Sequence, residues 1–203
     1  MAVRGRPKGS DSAVTREKII YAARVEFAAN GFDGAVIMEI ATSAGIAPSA
    51  VYHYFQSKEK LYMEVFKQTS IAIWDSVSPT DNPSTLVEAM EQLLDNSRLL
   101  ADKLPSYSDF LASLPIEGKL HPEFSELLKQ RADHQDKTFR TLALIGIASG
   151  ELYFLSEDEG TELIRSIIMG WFFERHFRQE EIEHSGEAII SMFKHLNVTK
   201  REQ

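Results

Sequence analysis

Cysteine is absent from the chain, which removes disulfide frameworks, thiolate metal sites and thiol nucleophiles together. Long hydrophobic runs are missing too. None is longer than LALIGIA at Leu142–Ala148, which falls far short of the ~20 apolar residues that a bilayer-spanning helix needs. The N-terminal segment has no apolar stretch of the kind a signal peptide carries. No window alternates apolar and polar residues with period two, so strands are not expected. The recurrent catalytic signatures are also lacking: there is no H-E-x-x-H, no P-loop and no G-x-G-x-x-G. In GIASG (Gly146–Gly150), Ser149 stands one place too late for a nucleophile elbow, and no strand precedes it. Glu181-x-x-His184 has the spacing of half a di-iron motif but no second copy. These absences lead to the expectation of a cytoplasmic, non-membrane protein that is not an enzyme, with no metal and no cofactor.

What is present is ordinary in bulk and uneven in distribution. The 203 residues are 43% hydrophobic and 26% charged, enough to build a sizeable core. Residues 1–74 carry 9 Lys and Arg against 7 Asp and Glu; the rest carry 13 against 23. A mildly basic front on an acidic body points to a polyanion-facing role at the N-terminus. The arm at its tip, VRGRPKGS (Val3–Ser10), holds Arg4, Arg6 and Lys8 among two glycines and a proline.

Helical periodicity runs through the remainder, giving an all-α chain of about nine helices. The spacing of Ile19, Ala23 and Phe27 predicts a first helix from Thr15 to Asn30, stopped by Gly31. Short helices follow at Ile37–Ala44 and, opened by Pro48 in the first turn, at Pro48–Phe55. Ser57 caps a longer helix to Val77. The turn-rich SPTDNPS (Ser78–Ser84) marks a boundary between front and body. Domains are thus expected at 1–12 (flexible basic arm), 13–56 (helix-turn-helix), 57–77 (connecting helix) and 78–203 (helical body). In the body, Thr85-x-x-Glu88 and Ser156-x-x-Glu159 are capping boxes. Pro105 and Pro115 bracket a short helix at Ser106–Leu114, a long helix spans Glu123–Ala148, and the last covers Glu180–Leu196.

The most informative run is IMEIATSAGIAPSAVYHYFQSKEKLY, beginning at Ile37. Two short helices joined by a glycine turn have the layout of a helix-turn-helix, whose second helix enters the DNA major groove. The residues that would meet the bases, Ala47, Pro48, Ser49 and Ala50, are small enough for close approach. Tyr52, His53 and Tyr54 can donate to phosphates, and Lys58 adds a charge at the start of the next helix. The same pattern also suits a plain three-helix core with Tyr52 and Phe55 packed inside.

The stretch AGIAPSAVYHYFQSKEKL strongly resembles the recognition region of the TetR family of bacterial transcriptional regulators. The matching positions are Ala44, Gly45, Ile46 and Ala47, then Tyr52 and Phe55, then Lys58, Glu59, Lys60 and Leu61. AARVEFAANGFDGA (Ala22–Ala35) is similar to the family's first helix and turn. The sequence departs from the pattern where the second helix starts. Ala35 and Val36 replace a capping hydroxyl and Met38 replaces a basic residue, leaving part of the affinity to other segments. One such segment is Arg4–Pro7, RGRP, which resembles the AT-hook core; arginine in a narrow A·T minor groove meets an enhanced negative potential.

For the body, the resemblance implies a homodimer formed by the last two helices. Ile164, Ile167, Ile168, Trp171 and Phe172 supply one apolar surface; Ile189, Met192, Phe193 and Leu196 supply the other. It also implies a cavity for a small organic effector. Candidate lining residues are Tyr107, Phe110, Leu111, Phe139 and Trp171, with Arg98, Arg131, His134 or Glu174 as polar anchors. The expected activity is that of a transcriptional repressor which binds a palindromic double-stranded operator and releases it on effector binding. The alternatives are an effector-independent, nucleoid-associated DNA-binding protein on the same scaffold, or an interaction protein whose front has lost DNA binding.

Overall fold

The computed structural model describes residues 8–78, 82–178 and 184–201, and among them every regular element is helical. In chain order these are α1 (Lys8–Gly34), α2 (Ile37–Ala44), α3 (Pro48–Tyr54), α4 (Lys58–Val77), α5 (Leu86–Lys103) and α6 (Pro105–Leu120). A 3-10 turn at Pro122–Phe124 precedes α7 (Ser125–Ser149), α8 (Glu157–Arg178) and α9 (Ser185–Arg201). Arg4 and Arg6 of the arm, and Ile182, lie outside the described residues.

The chain divides into two compact units. One holds residues 1–71 and 106–127, the other 72–105 and 128–203. This partition differs from the boundary expected at Ser78–Ser84. It draws α6 into the front unit, because α6 supplies part of that unit's core. Tyr62 of α4 is 1% exposed and stacks on Phe124 at 4.5 Å; Phe110 of α6 lies 5.4 Å from the same ring. Phe27 and Phe32 complete the cluster with edge contacts to Tyr62 at 5.0 and 5.3 Å. Such offset and edge-on pairs add about 0.5–1.5 kcal/mol each beyond their burial. Burial also pushes the Tyr62 phenol well above its ordinary range.

Two helices differ from the sequence expectation. α1 begins at Lys8, seven residues before Thr15, so the segment 8–12 expected to be flexible is helical. α6 runs through Pro115, which was expected to end it. A proline inside a helix costs about 3 kcal/mol. Here its ring is exposed, while Leu114 (1% exposed) and Glu117 (7%) on either side are anchored in the core. Tertiary packing outweighs the local penalty.

In the second unit, α5 is opened by its capping box. Thr85 Oγ1 accepts from Glu88 N at 3.2 Å, and the Glu88 carboxylate accepts from Ser84 N at 2.8 Å. A second carboxylate closes the same helix end from the interior. Glu151, 0% exposed, accepts from the N–H groups of Leu86 and Val87 and from Ser149 Oγ. α8 opens with the other box, Ser156 and Glu159, where bonds from Ser156 hold the Glu159 carboxyl below its ordinary range. α9 packs on α5, with Lys194 paired to Glu91 at 2.8 Å. No helix among the described residues is long and apolar enough to cross a membrane.

Candidate nucleic-acid interface

The local sequence fixes the geometry of the α2–α3 pair. Gly45 sits at φ 70°, ψ 35°, the left-handed conformation that costs glycine nothing. Its N–H donates to Thr42 O at 3.1 Å, and Ile46 N donates to Ala41 O at 3.0 Å, the two bonds of a Schellman stop. Ala47 is extended and caps α3 by its backbone alone; Pro48 takes the first helical position. Val51 (1% exposed) and Phe55 (5%) face the core.

The opposite face of α3 is turned to solvent. Ala47, Pro48, Ser49, Tyr52 and His53 are exposed, while Ala50 and Tyr54 are half-buried. On α2, Met38 is 58% exposed and Val36, just before the helix, 47%. Tyr52 of α3 is 51% exposed, so each of the two helices presents a large apolar or aromatic side chain to solvent. The start of α2 has no side-chain cap, as the departure at Ala35 and Val36 led one to expect. Lys58 is less free than its sequence position suggests. Its Nζ donates to Asp33 O at 3.0 Å and lies 5.0 Å from the centre of the Phe32 ring. It therefore ties the end of α1 to the start of α4 and has donors to spare. The backbone of Lys8 belongs to α1, whereas its side chain lies outside the described residues.

Sequence reasoning missed the residues that hold this surface in place. The α1–α2 connection turns on Gly31, at φ 67° and ψ −178°. Glu117 of α6 reaches that turn: its Oε1 accepts from Phe32 N at 3.1 Å. A Cβ on Gly31 would stand 2.6 Å from the same oxygen. Arg24 of α1, 3% exposed, donates from Nε to Thr69 Oγ1 at 2.8 Å, with its guanidinium 3.8 Å above the Tyr107 ring. Burial lowers its pKa, an effect partly offset by Tyr107 and Glu17. Arg16 pairs with Glu64 at 2.8 Å and lies over Phe55. No local motif announces these pairs, because each partner is distant in sequence; only a buried charge mid-helix could have prompted a search.

The effector candidates divide between the two units. Tyr107, Phe110 and Leu111 belong to the front unit, where Tyr107 underlies Arg24 and Phe110 is sealed in the aromatic cluster. In the second unit, Phe139 (0% exposed) packs against Trp74 at 5.9 Å, and His134 meets the same indole at 6.1 Å. Trp171 donates to Ser185 Oγ at 2.9 Å. Arg98 is half-buried near Asp95, at 3.8 Å, and Glu174 is exposed. Arg131 has its Nε buried without an acceptor. A cavity of about 400 Å³ opens elsewhere in this unit, lined by Ser78, Asn82, Pro83, Thr138, Thr141, Leu142 and Ile145. None of these was a sequence candidate.

The two apolar surfaces expected at a dimer interface divide similarly. Ile164, Ile168, Trp171 and Phe193 are buried within the single chain. Ile167, Phe172 and Ile189 are half-buried and Met192 is 44% exposed. The Leu196 side chain lies outside the described residues.

Comparison with known proteins matches this site and the whole architecture. Residues 19–65 fit the model of the tetR family, described as bacterial regulatory proteins. The chain is 28% identical over 128 residues to the transcriptional repressor AcnR of Corynebacterium efficiens, covering 63% of this chain and 61% of AcnR's length. Among solved structures it resembles the fatty acid degradation regulator FadR of Bacillus halodurans, with a TM-score of 0.66, 19% identity and 96% coverage of each chain. It also resembles AibR, solved with isovaleryl coenzyme A and operator DNA (TM-score 0.69, 16% identity, 88% of this chain and 97% of AibR). The matched stretch spans α2, α3 and the turn between them, so it is this part of the chain that is similar to the tetR family of bacterial regulatory proteins.

Proposed function

We propose that this protein is a transcriptional repressor that binds a palindromic operator as a homodimer and is released by a small organic effector. The observation that carries the reading is the outward face of α3, small at Ala47, Pro48 and Ser49 and hydrogen-bonding at Tyr52 and His53. Small residues let the helix end approach base edges, and the flanking polar groups suit phosphates. Tyr54, Ala50 and Met38 extend the contact surface, Lys58 contributes charge, and Arg4, Arg6 and Lys8 reach an A·T-rich minor groove. AibR's structure, solved with isovaleryl coenzyme A and operator DNA, supports pairing a small-molecule site with operator binding on this fold. In the dimer, Ile167, Phe172, Ile189 and Met192 supply apolar area left accessible by the single chain.

The test is selection of the full chain on randomised duplex DNA at two salt concentrations. The expected product is a palindrome whose half-sites lie about 10 base pairs apart. Flanks should be A·T-rich, and affinity should fall steeply with salt. Enrichment of A·T content without a palindrome would reduce the protein to an arm-driven, architectural binder.

A further inference from the structure

Arg131 is an anomaly within the second unit. The side chain is half-buried; its Nε is shut off from solvent with no hydrogen-bond partner, and no carboxylate among the described residues is paired with the guanidinium. Burial alone lowers its pKa, to about 10, with no opposing charge to restore it. Nearby carboxylates on the same helix are otherwise engaged: Asp136 pairs with Arg165 of α8, and Asp133 is exposed. A half-buried guanidinium with one sealed and unbonded N–H loses hydration that no protein acceptor replaces.

A second orphaned donor stands close to the same helix face. Trp74 Nε1 of α4 is buried without an acceptor. Its ring spans His134 and Phe139, at 6.1 and 5.9 Å. Those two positions flank the stripe of α7 on which Arg131, Gln135, Thr138 and Leu142 fall, at the i, i+4, i+7 and i+11 spacing of one helix face. Thr138 and Leu142 line the cavity of about 400 Å³. At 1.5 Å per residue, Thr138 is about 10 Å along the axis from Arg131. Arginine and the indole N–H are donors only, so what would satisfy both is an acceptor. The third orphan of the unit, Gln92 Oε1, belongs to an amide that can present either end.

We propose that Arg131 is the counter-charge for an anionic effector, its carboxylate or phosphate bound to the guanidinium and its apolar body lying along α7 towards the Thr138 cavity. This assignment rests on the effector-released repressor reading and names the chemical class of its ligand. An organic anion would supply the acceptor that Arg131 Nε does not find within the protein. A charge-assisted, two-pronged bond to a carboxylate or phosphate is the strongest such contact available to arginine.

Four eight-carbon probes test it on the full chain: octanoate, octyl phosphate, octanol and octyltrimethylammonium. Binding is read from melting temperature and from Trp74 emission in a Trp171→Phe background. The two anions should raise the melting temperature and perturb Trp74, at concentrations at least about tenfold below those at which octanol does so, the cation having no effect. Arg131→Met should abolish the preference for anions while melting no lower than the parent without probe; Arg131→Lys should keep part of the preference. Equal binding of octanol and octanoate would overturn the proposal. So would an anion preference that survives Arg131→Met, a lack of binding by either anion, or an unliganded Arg131→Met that melts far lower. Operator affinity is measured separately. Anion binding that leaves it unchanged would remove the effector from the repressor reading while the anion site stands. Lack of any selected palindrome would likewise leave the anion site to the melting data.

Discussion

Arg24, in the unit of residues 1–71 and 106–127, is sealed from water with its Nε on Thr69 and its guanidinium over Tyr107. Arg131, in the unit of residues 72–105 and 128–203, has its Nε equally sealed and bonded to nothing. The same kind of side chain is a strut in one unit and has an unbonded Nε in the other. Under the proposed function the front unit holds a surface rigid, and its buried charge is met by side chains of other helices. Under the same proposal the second unit changes state when an effector enters, and a sealed, unbonded donor would favour an anionic one.

The comparison can be broken most forcefully at Gly31. Gly31→Ala imposes a left-handed φ on a side chain whose Cβ would collide with Glu117 Oε1. Expected is a loss of about 3 kcal/mol, with protection against hydrogen exchange lost first in α1, α2 and α6. A uniform loss across α5 and α9 would show that the units do not respond separately. Next is Arg24→Met, which removes a charged hydrogen bond and a cation–π contact. A loss of about 2 kcal/mol in denaturant unfolding is expected, against no loss for Arg131→Met. Equal losses at both sites would erase the distinction between the bonded and the unbonded arginine. The smallest effect is at Thr85→Ala, which removes one cap from α5 and should cost about 1 kcal/mol, read as a lower midpoint with unchanged slope. Because Glu151 still holds Leu86 N and Val87 N, the helix should keep its start; a loss several times larger would make Thr85 the principal cap.

Much of the candidate interface was legible because it is written in neighbours. Gly45, Pro48 and the capping boxes at Thr85 and Ser156 act within four or five residues, and their bonds are found where the spacing places them. The outward face of α3 follows from helical period alone. Pro115 misled for the opposite reason: its local effect is real, but Leu114 and Glu117 are held by residues far away in the chain. Leu111 and Phe110 likewise read as pocket-lining aromatics and aliphatics, yet they are core of the front unit. Nothing in an isolated sequence tells an apolar residue that lines a cavity from one that fills it.

By itself, then, the sequence determined the helical class, the turn between α2 and α3, the caps and the location of the basic front, because each depends on propensities and hydrogen bonds that close over a few residues. The tertiary structure alone decided that α6 belongs with the front, that Glu117 grips the turn at Gly31, and that Arg24 is satisfied while Arg131 is not. Whether a buried charge has a partner depends on groups that the chain brings together from 45 or more residues away, as Arg24 and Thr69 are, and such meetings have no local signature.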